Sequence, residues 1–116
     1  MGKWLLIIDT RCKDEARDSE FNHWYDTIHI PDVLNDSPGF KSVGRYVVKD
    51  PVRGKGKYLA VWEIETDDIK KTMEAHAKNM ESKKAAGRYT ELLVIVSRRI
   101  CRVEEERGKG YFHKMP

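Results

Sequence analysis

The chain has 116 residues, 40% of them hydrophobic, with 22 Lys and Arg against 19 Asp and Glu for a formal charge of +3. That suffices for one compact domain but leaves little core with which a single copy could enclose a deep cofactor pocket. Interspersed charge of both signs sets aside a nucleic-acid partner, and the apolar start Trp4 to Ile8 is too short for a signal peptide or a membrane span.

Residues 3 to 9 are apolar on both alternating sets, Trp4/Leu6/Ile8 and Leu5/Ile7, which predicts a central strand covered on both faces. Cys12 and Cys101 form no paired metal motif, so a reduced, cytoplasmic protein is expected. A helix follows, capped by Asp18 or Ser19, with Phe21, Trp24, Tyr25 and Ile28 on its apolar face. Asn22, Asp26 and His29 form a polar stripe beside it. Pro31 is expected to end the helix, leaving His29 near a C-terminus where exposed carbonyls, Asp26 and Asp32 favour the imidazolium.

Asp36 to Gly39 breaks the chain, and two strands are expected over residues 40 to 49 and 57 to 65. The segment Arg53-Gly-Lys-Gly-Lys57 between them reads as a hairpin turn rather than a phosphate loop, since no helix follows it. Thr66, Asp67 and Asp68 start a second helix with Ile69, Met73, His76 and Met80 on its buried stripe and Gly87 as its stop. Residues 90 to 103 form a last strand, apolar as Leu92/Val94/Val96 and as Leu93/Ile95. Residues 1 to 103 are thus one domain, and 104 to 116 a charged tail.

The order β-α-β-β-α-β predicts a ferredoxin-like α+β fold, an antiparallel sheet with both helices on one face. Strands apolar on both sets then require a second cover, most economically an identical subunit, so a homodimer with facing sheets is expected.

The segments Phe21 to Asp32, Pro38 to Tyr46 and Tyr58 to Ile64 resemble the EthD-like branch of the dimeric α/β-barrel superfamily. The resemblance implies a homodimeric α/β barrel with a pocket between sheet and helices, and a histidine at the position of His29. It leaves three functions open: a cofactor-independent lyase, isomerase or cyclase moving a proton on a small aromatic or polyketide-like metabolite; a heme-degrading or quinol-forming monooxygenase; and a non-catalytic binder of a small ligand. The first of these leads, with no cofactor and no metal expected. The asparagine usual on the first strand of heme-degrading members has no counterpart in Trp4 to Ile8.

His29 is the candidate general acid or base, oriented by Asp26 or Asp32; the alternative is a terminal histidine bonding its own last-turn carbonyls. Tyr25 and Tyr46 could hold an oxyanion or simply edge a core. Arg45 could bind a substrate carboxylate or form a salt bridge at the dimer interface. Trp24 and Trp62 are apolar walls or core. Glu63 interrupts an apolar strand and could pair with Arg45, and His76 is either a satisfied core histidine or a pocket group opposite His29. His29, Asp32, Glu63 and His76 come from separate elements without metal-ligand spacing.

Overall fold

The computed structural model describes residues 1–53 and 55–104, so the tail from 105 onward lies outside the described residues. Four strands, β1 (Gly2–Cys12), β2 (Phe40–Val47), β3 (Tyr58–Thr66) and β4 (Leu93–Arg102), form one sheet in the order β2-β3-β1-β4. All three pairings are antiparallel. β1 is central, as its two apolar sets require. The ferredoxin-like expectation holds.

The helices pack on one face. Leu6, Ile8, Ala60, Trp62 and Ile64 point towards them and are buried, with Phe21, Tyr25 and Val33 seated above. Burying a side chain such as Leu6 contributes about 1.5–3 kcal/mol. The second helix, α3 (Ile69–Ala85), is capped by the Asp68 carboxylate on the Lys71 N–H at 3.1 Å. It ends where Gly87 adopts φ +73°.

The first helical segment departs from expectation. It comprises α1 (Asp18–Trp24), a π-helical turn (Tyr25–His29) and α2 (Ile30–Asp36), running straight through Pro31. The Ile30 N–H reaches back to the Tyr25 carbonyl, five residues away. Pro31 has no N–H to give and its ring crowds the carbonyl four residues back, and the wider turn just before it absorbs both. Pro31 therefore opens α2, where its missing N–H is tolerated. Neither Asp18 nor Ser19 caps α1. Asp14 instead caps a short 3-10 turn (Glu15–Arg17), and the Asp18 carboxylate accepts from the Tyr58 hydroxyl and, at 3.1 Å, from Lys57.

On the far side of the sheet Leu5, Ile7, Leu59 and Val61 lie half-buried without a helix over them. Glu63 is on this face, accepting from Ser42 Oγ at 2.9 Å, and Tyr46 stands exposed there. No helix among the described residues is long and apolar enough to cross a membrane.

Candidate functional site

His29 is the centre of the site, and the π turn puts it there. One extra residue in the turn rotates the helix so that Tyr25 and His29 both face the sheet, 1% and 8% exposed. The imidazole stacks on Trp24 and meets the edges of Tyr25, Trp62 and Tyr89 at ring-centre distances of 4.8–5.9 Å. The expected bias towards imidazolium is reversed. Burial pushes the His29 pKa down to about 4, with His76 adding to the shift and Asp32 opposing it only weakly. His29 is neutral at physiological pH.

Neither expected carboxylate orients it. Asp26 faces solvent and pairs with Arg45 at 3.2 Å. Asp32 is buried and held by both arms of the Arg88 guanidinium, at 2.8 and 2.9 Å. Orientation of His29 comes from aromatic packing instead.

His76, on α3, is buried at 7% exposure, and its ring stacks on Phe40 at 4.6 Å. Its Nδ1 lies 2.7 Å from Ser37 Oγ, and Asn79 donates to the same oxygen at 2.9 Å. Ser37 Oγ thus meets both His76 and Asn79 and ties these two α3 side chains to the end of the first helical segment. Burial and the nearby Arg98 lower the His76 pKa to about 4, so this histidine is neutral as well. His76 is a satisfied buried histidine and a cleft residue at once.

The two imidazoles line one cleft of about 240 Å³ between α3, β1 and β4. Ile8, Met73, Met80 and Ile95 supply apolar wall, while Thr10, Tyr25, Tyr89, Glu81, Lys84 and Arg98 supply polar groups. The Tyr25 phenol is pushed up to about 12 by burial, against a lowering influence from Arg45 and from the nearby Trp62 indole. It therefore stays protonated and can donate a hydrogen bond.

The structure thus brings together His29, Tyr25, His76, Trp24 and Trp62. It keeps Tyr46 and Glu63 apart from them on the opposite face, and the suggested Glu63–Arg45 pair does not form. Residues paired across β2 and β3 share a face, and Arg45 pairs with Ala60 while Glu63 pairs with Ser42. Arg45 lies beneath the first helix, its guanidinium 4.0 Å from the centre of the Tyr25 ring and 2.9 Å from Asn22 Oδ1. Among the described residues no group of three or more His, Cys, Asp or Glu is placed to hold a metal ion.

Thr10, Tyr89 and Arg98 escaped the sequence reading. Thr10 continues the Leu6/Ile8 alternation and was legible by extending it two residues. Tyr89 follows the Gly87 stop, outside any periodic pattern. Arg98 is misplaced by strict alternation because a β-bulge interrupts the β1–β4 pairing between Asp9 and Thr10.

No protein-family model matches the chain, and no curated protein matches it. Solved structures do. HapK from Hahella chejuensis is similar at 19% identity and a TM-score of 0.62, over 93% of this chain and 96% of that one. The heme-degrader MhuD from Mycobacterium tuberculosis, solved with two hemes in its active site, matches at 20% identity and TM-score 0.59, over 90% and 99%. An ethyl tert-butyl ether degradation (EthD) family protein from Bacillus halodurans matches at 19% identity and TM-score 0.50, over 91% and 100%. The likeness is one of fold, and it includes the EthD branch that the first helix resembles.

Proposed function

We propose that this chain is a cofactor-independent enzyme of the lyase, isomerase or cyclase type that moves a proton on a small aromatic or polyketide-like metabolite. The observation that carries the reading is a neutral, buried His29 lining a partly apolar cleft beside a protonated Tyr25. In this reading His29 takes a proton from an acidic C–H or O–H of the substrate. Tyr25 donates its hydroxyl hydrogen to the oxygen on which negative charge develops. A base whose free pKa is near 4 is weak in the empty cleft. Its cation becomes stable when the substrate anion forms beside it, since an adjacent opposite charge offsets the desolvation that depressed the pKa. Aromatic walls orient a flat substrate and exclude water.

The reading includes a homodimer formed on the sheet face opposite the cleft. Leu5, Ile7, Leu59 and Val61 form an uncovered apolar strip, and a second copy packing sheet to sheet covers it symmetrically.

A second reading, a quinol-forming monooxygenase, is favoured by the aromatic enclosure of Trp24, Tyr25, Trp62 and Tyr89, which suits a phenol. It begins with the same proton removal and differs in consuming oxygen. The size of the cleft favours a ligand smaller than heme. Its volume of about 240 Å³ is below the roughly 300–1,000 Å³ of pockets for drug-sized ligands.

Exchange of substrate hydrogen for solvent deuterium tests the proposal. Phenolic and β-dicarbonyl metabolites that bind the protein are incubated in deuterated buffer with wild type and His29→Gln. Exchange by wild type and its loss in the variant support proton transfer at His29, with oxygen uptake marking the monooxygenase. Binding without exchange in either protein leaves a non-catalytic carrier.

A further inference from the structure

Arg98 lies on β4, one of the two edge strands, and the strand's irregularity decides where it points. Ile8 pairs with Arg98 and Thr10 with Ile95, so both Ile95 and Arg98 share the face of Ile8 and Thr10 although they are three residues apart. A regular strand would send them to opposite faces. The bulge between the two pairs takes up one residue and puts Arg98 on the exposed rim of the cleft, the kind of re-aiming for which bulges are known beside active sites.

There Arg98 forms no hydrogen bond or salt bridge among the described residues, yet its charge is felt by both His76 and Tyr89. Lys84 stands at the same wall with its Nζ 5.0 Å from the centre of the Tyr89 ring, and it too has no acidic partner among the described residues. Among the described residues the only carboxylate lining the cleft is Glu81. With His29 and His76 neutral, the cleft presents two cations against one anion, and its inner walls are apolar and aromatic. Arg45, the arginine singled out by sequence, is already engaged by Asn22, Asp26 and the Tyr25 ring.

We propose that the cleft takes a planar aromatic or enolic acid with a single carboxylate, which Arg98 binds through its guanidinium fork at the mouth while the ring lies towards His29 and Tyr25. This deepens the proton-transfer reading and rests on the same cleft. A guanidinium matches a carboxylate in two parallel hydrogen bonds, and the apolar wall receives the ring. Glu81 on the same rim disfavours a second negative charge. The arrangement sets specificity: Arg98 holds the end of the ligand remote from the transferred proton.

The test compares 2-naphthoate with the isosteric neutral 2-naphthamide by isothermal titration calorimetry at low salt and pH 7.5. It uses wild type, Arg98→Met and, as a control of equal charge change elsewhere on α3, Lys78→Met. Wild type and the Lys78 variant should bind naphthoate about tenfold more tightly than the amide, a difference of about 1.4 kcal/mol. In the Arg98 variant the preference should fall below about threefold with amide affinity unchanged. Histidine ring signals of His29 and His76 report whether each probe occupies the cleft. A preference that survives in Arg98→Met, or equal binding of both probes by wild type, overturns acid recognition while leaving the cleft as a binding site. Absence of either probe from the cleft in folded protein overturns it together with the reading on which it rests.

Discussion

The imidazole of His29 lies stacked on the indole of Trp24, ring centres 4.9 Å apart and planes 17° from parallel. This contact, rather than a carboxylate, fixes the ring, so the histidine is held by groups that do nothing to stabilise its charge. His76 stacks likewise on Phe40 and also meets Ser37 Oγ through its Nδ1.

Folding stability should therefore fall with acid. Both histidines have folded pKa values near 4, below the ordinary value of 6.5 that the unfolded chain takes. Between those limits the unfolded state binds protons that the folded state does not. Their contribution is complete above pH 6.5 and is lost as pH falls through the window towards 4. The full effect is on the order of 3 kcal/mol per histidine. Urea titrations at pH 7 and pH 4.5 should differ by a few kcal/mol, and the difference should shrink in the His29→Gln/His76→Gln double variant. A flat profile would contradict neutral burial.

Ser37 ties the end of the first helical segment to α3 through His76 and Asn79. Ser37→Ala should cost about 1–3 kcal/mol, because it leaves a buried ring nitrogen without its hydrogen-bond partner. The loss should be smaller when His76 is already leucine, and a double-mutant cycle by denaturant unfolding measures that coupling. Strict additivity would mean that the hydroxyl and the ring are not partners.

Two glycines with positive φ separate backbone strain from crowding. Gly87, at φ +73°, has nothing within 4 Å of an added Cβ, so Gly87→Ala should cost about 1 kcal/mol from conformation alone. Gly39, at φ +85°, would place a Cβ 3.0 Å from the Glu65 carbonyl oxygen, so Gly39→Ala should cost clearly more. Thermal or urea unfolding of the two variants gives the order.

The proposed dimer is tested on the open sheet face. Replacing Leu59 and Val61 together by lysine puts two charges on the strip without touching the helix-covered core. Sedimentation velocity should show a dimer for wild type at micromolar concentration and a folded monomer for the variant. A monomeric wild type would remove the facing-sheet arrangement.

Much of the fold was legible because several local signals agree. Double apolar alternation marked the central β1, the Asp68 start and Gly87 stop bounded α3, and the β-α-β-β-α-β order left few topologies. The site was legible only in part. Tyr25, His29 and His76 were singled out by type and spacing, but a 3.6-residue repeat cannot register a π turn, and Pro31 read as a stop instead of the start of α2. The charge state of His29 followed from that misplaced end. Period two likewise cannot register the bulge that moves Arg98 to the cleft side of the sheet. Both misses have one physical cause, a single inserted residue that changes which face the following side chains occupy.

The central claim is that His29 is a neutral imidazole in the resting protein. Nitrogen-15 NMR of the histidine rings across pH 3.5 to 8, with the His29 signals identified by their loss in His29→Gln, tests it most directly. A midpoint near 4, with a single neutral tautomer throughout the physiological range, is the expected result. A midpoint at or above the ordinary value of 6.5 would mean that a carboxylate or helix-end carbonyls hold the imidazolium, and would contradict the account of the site.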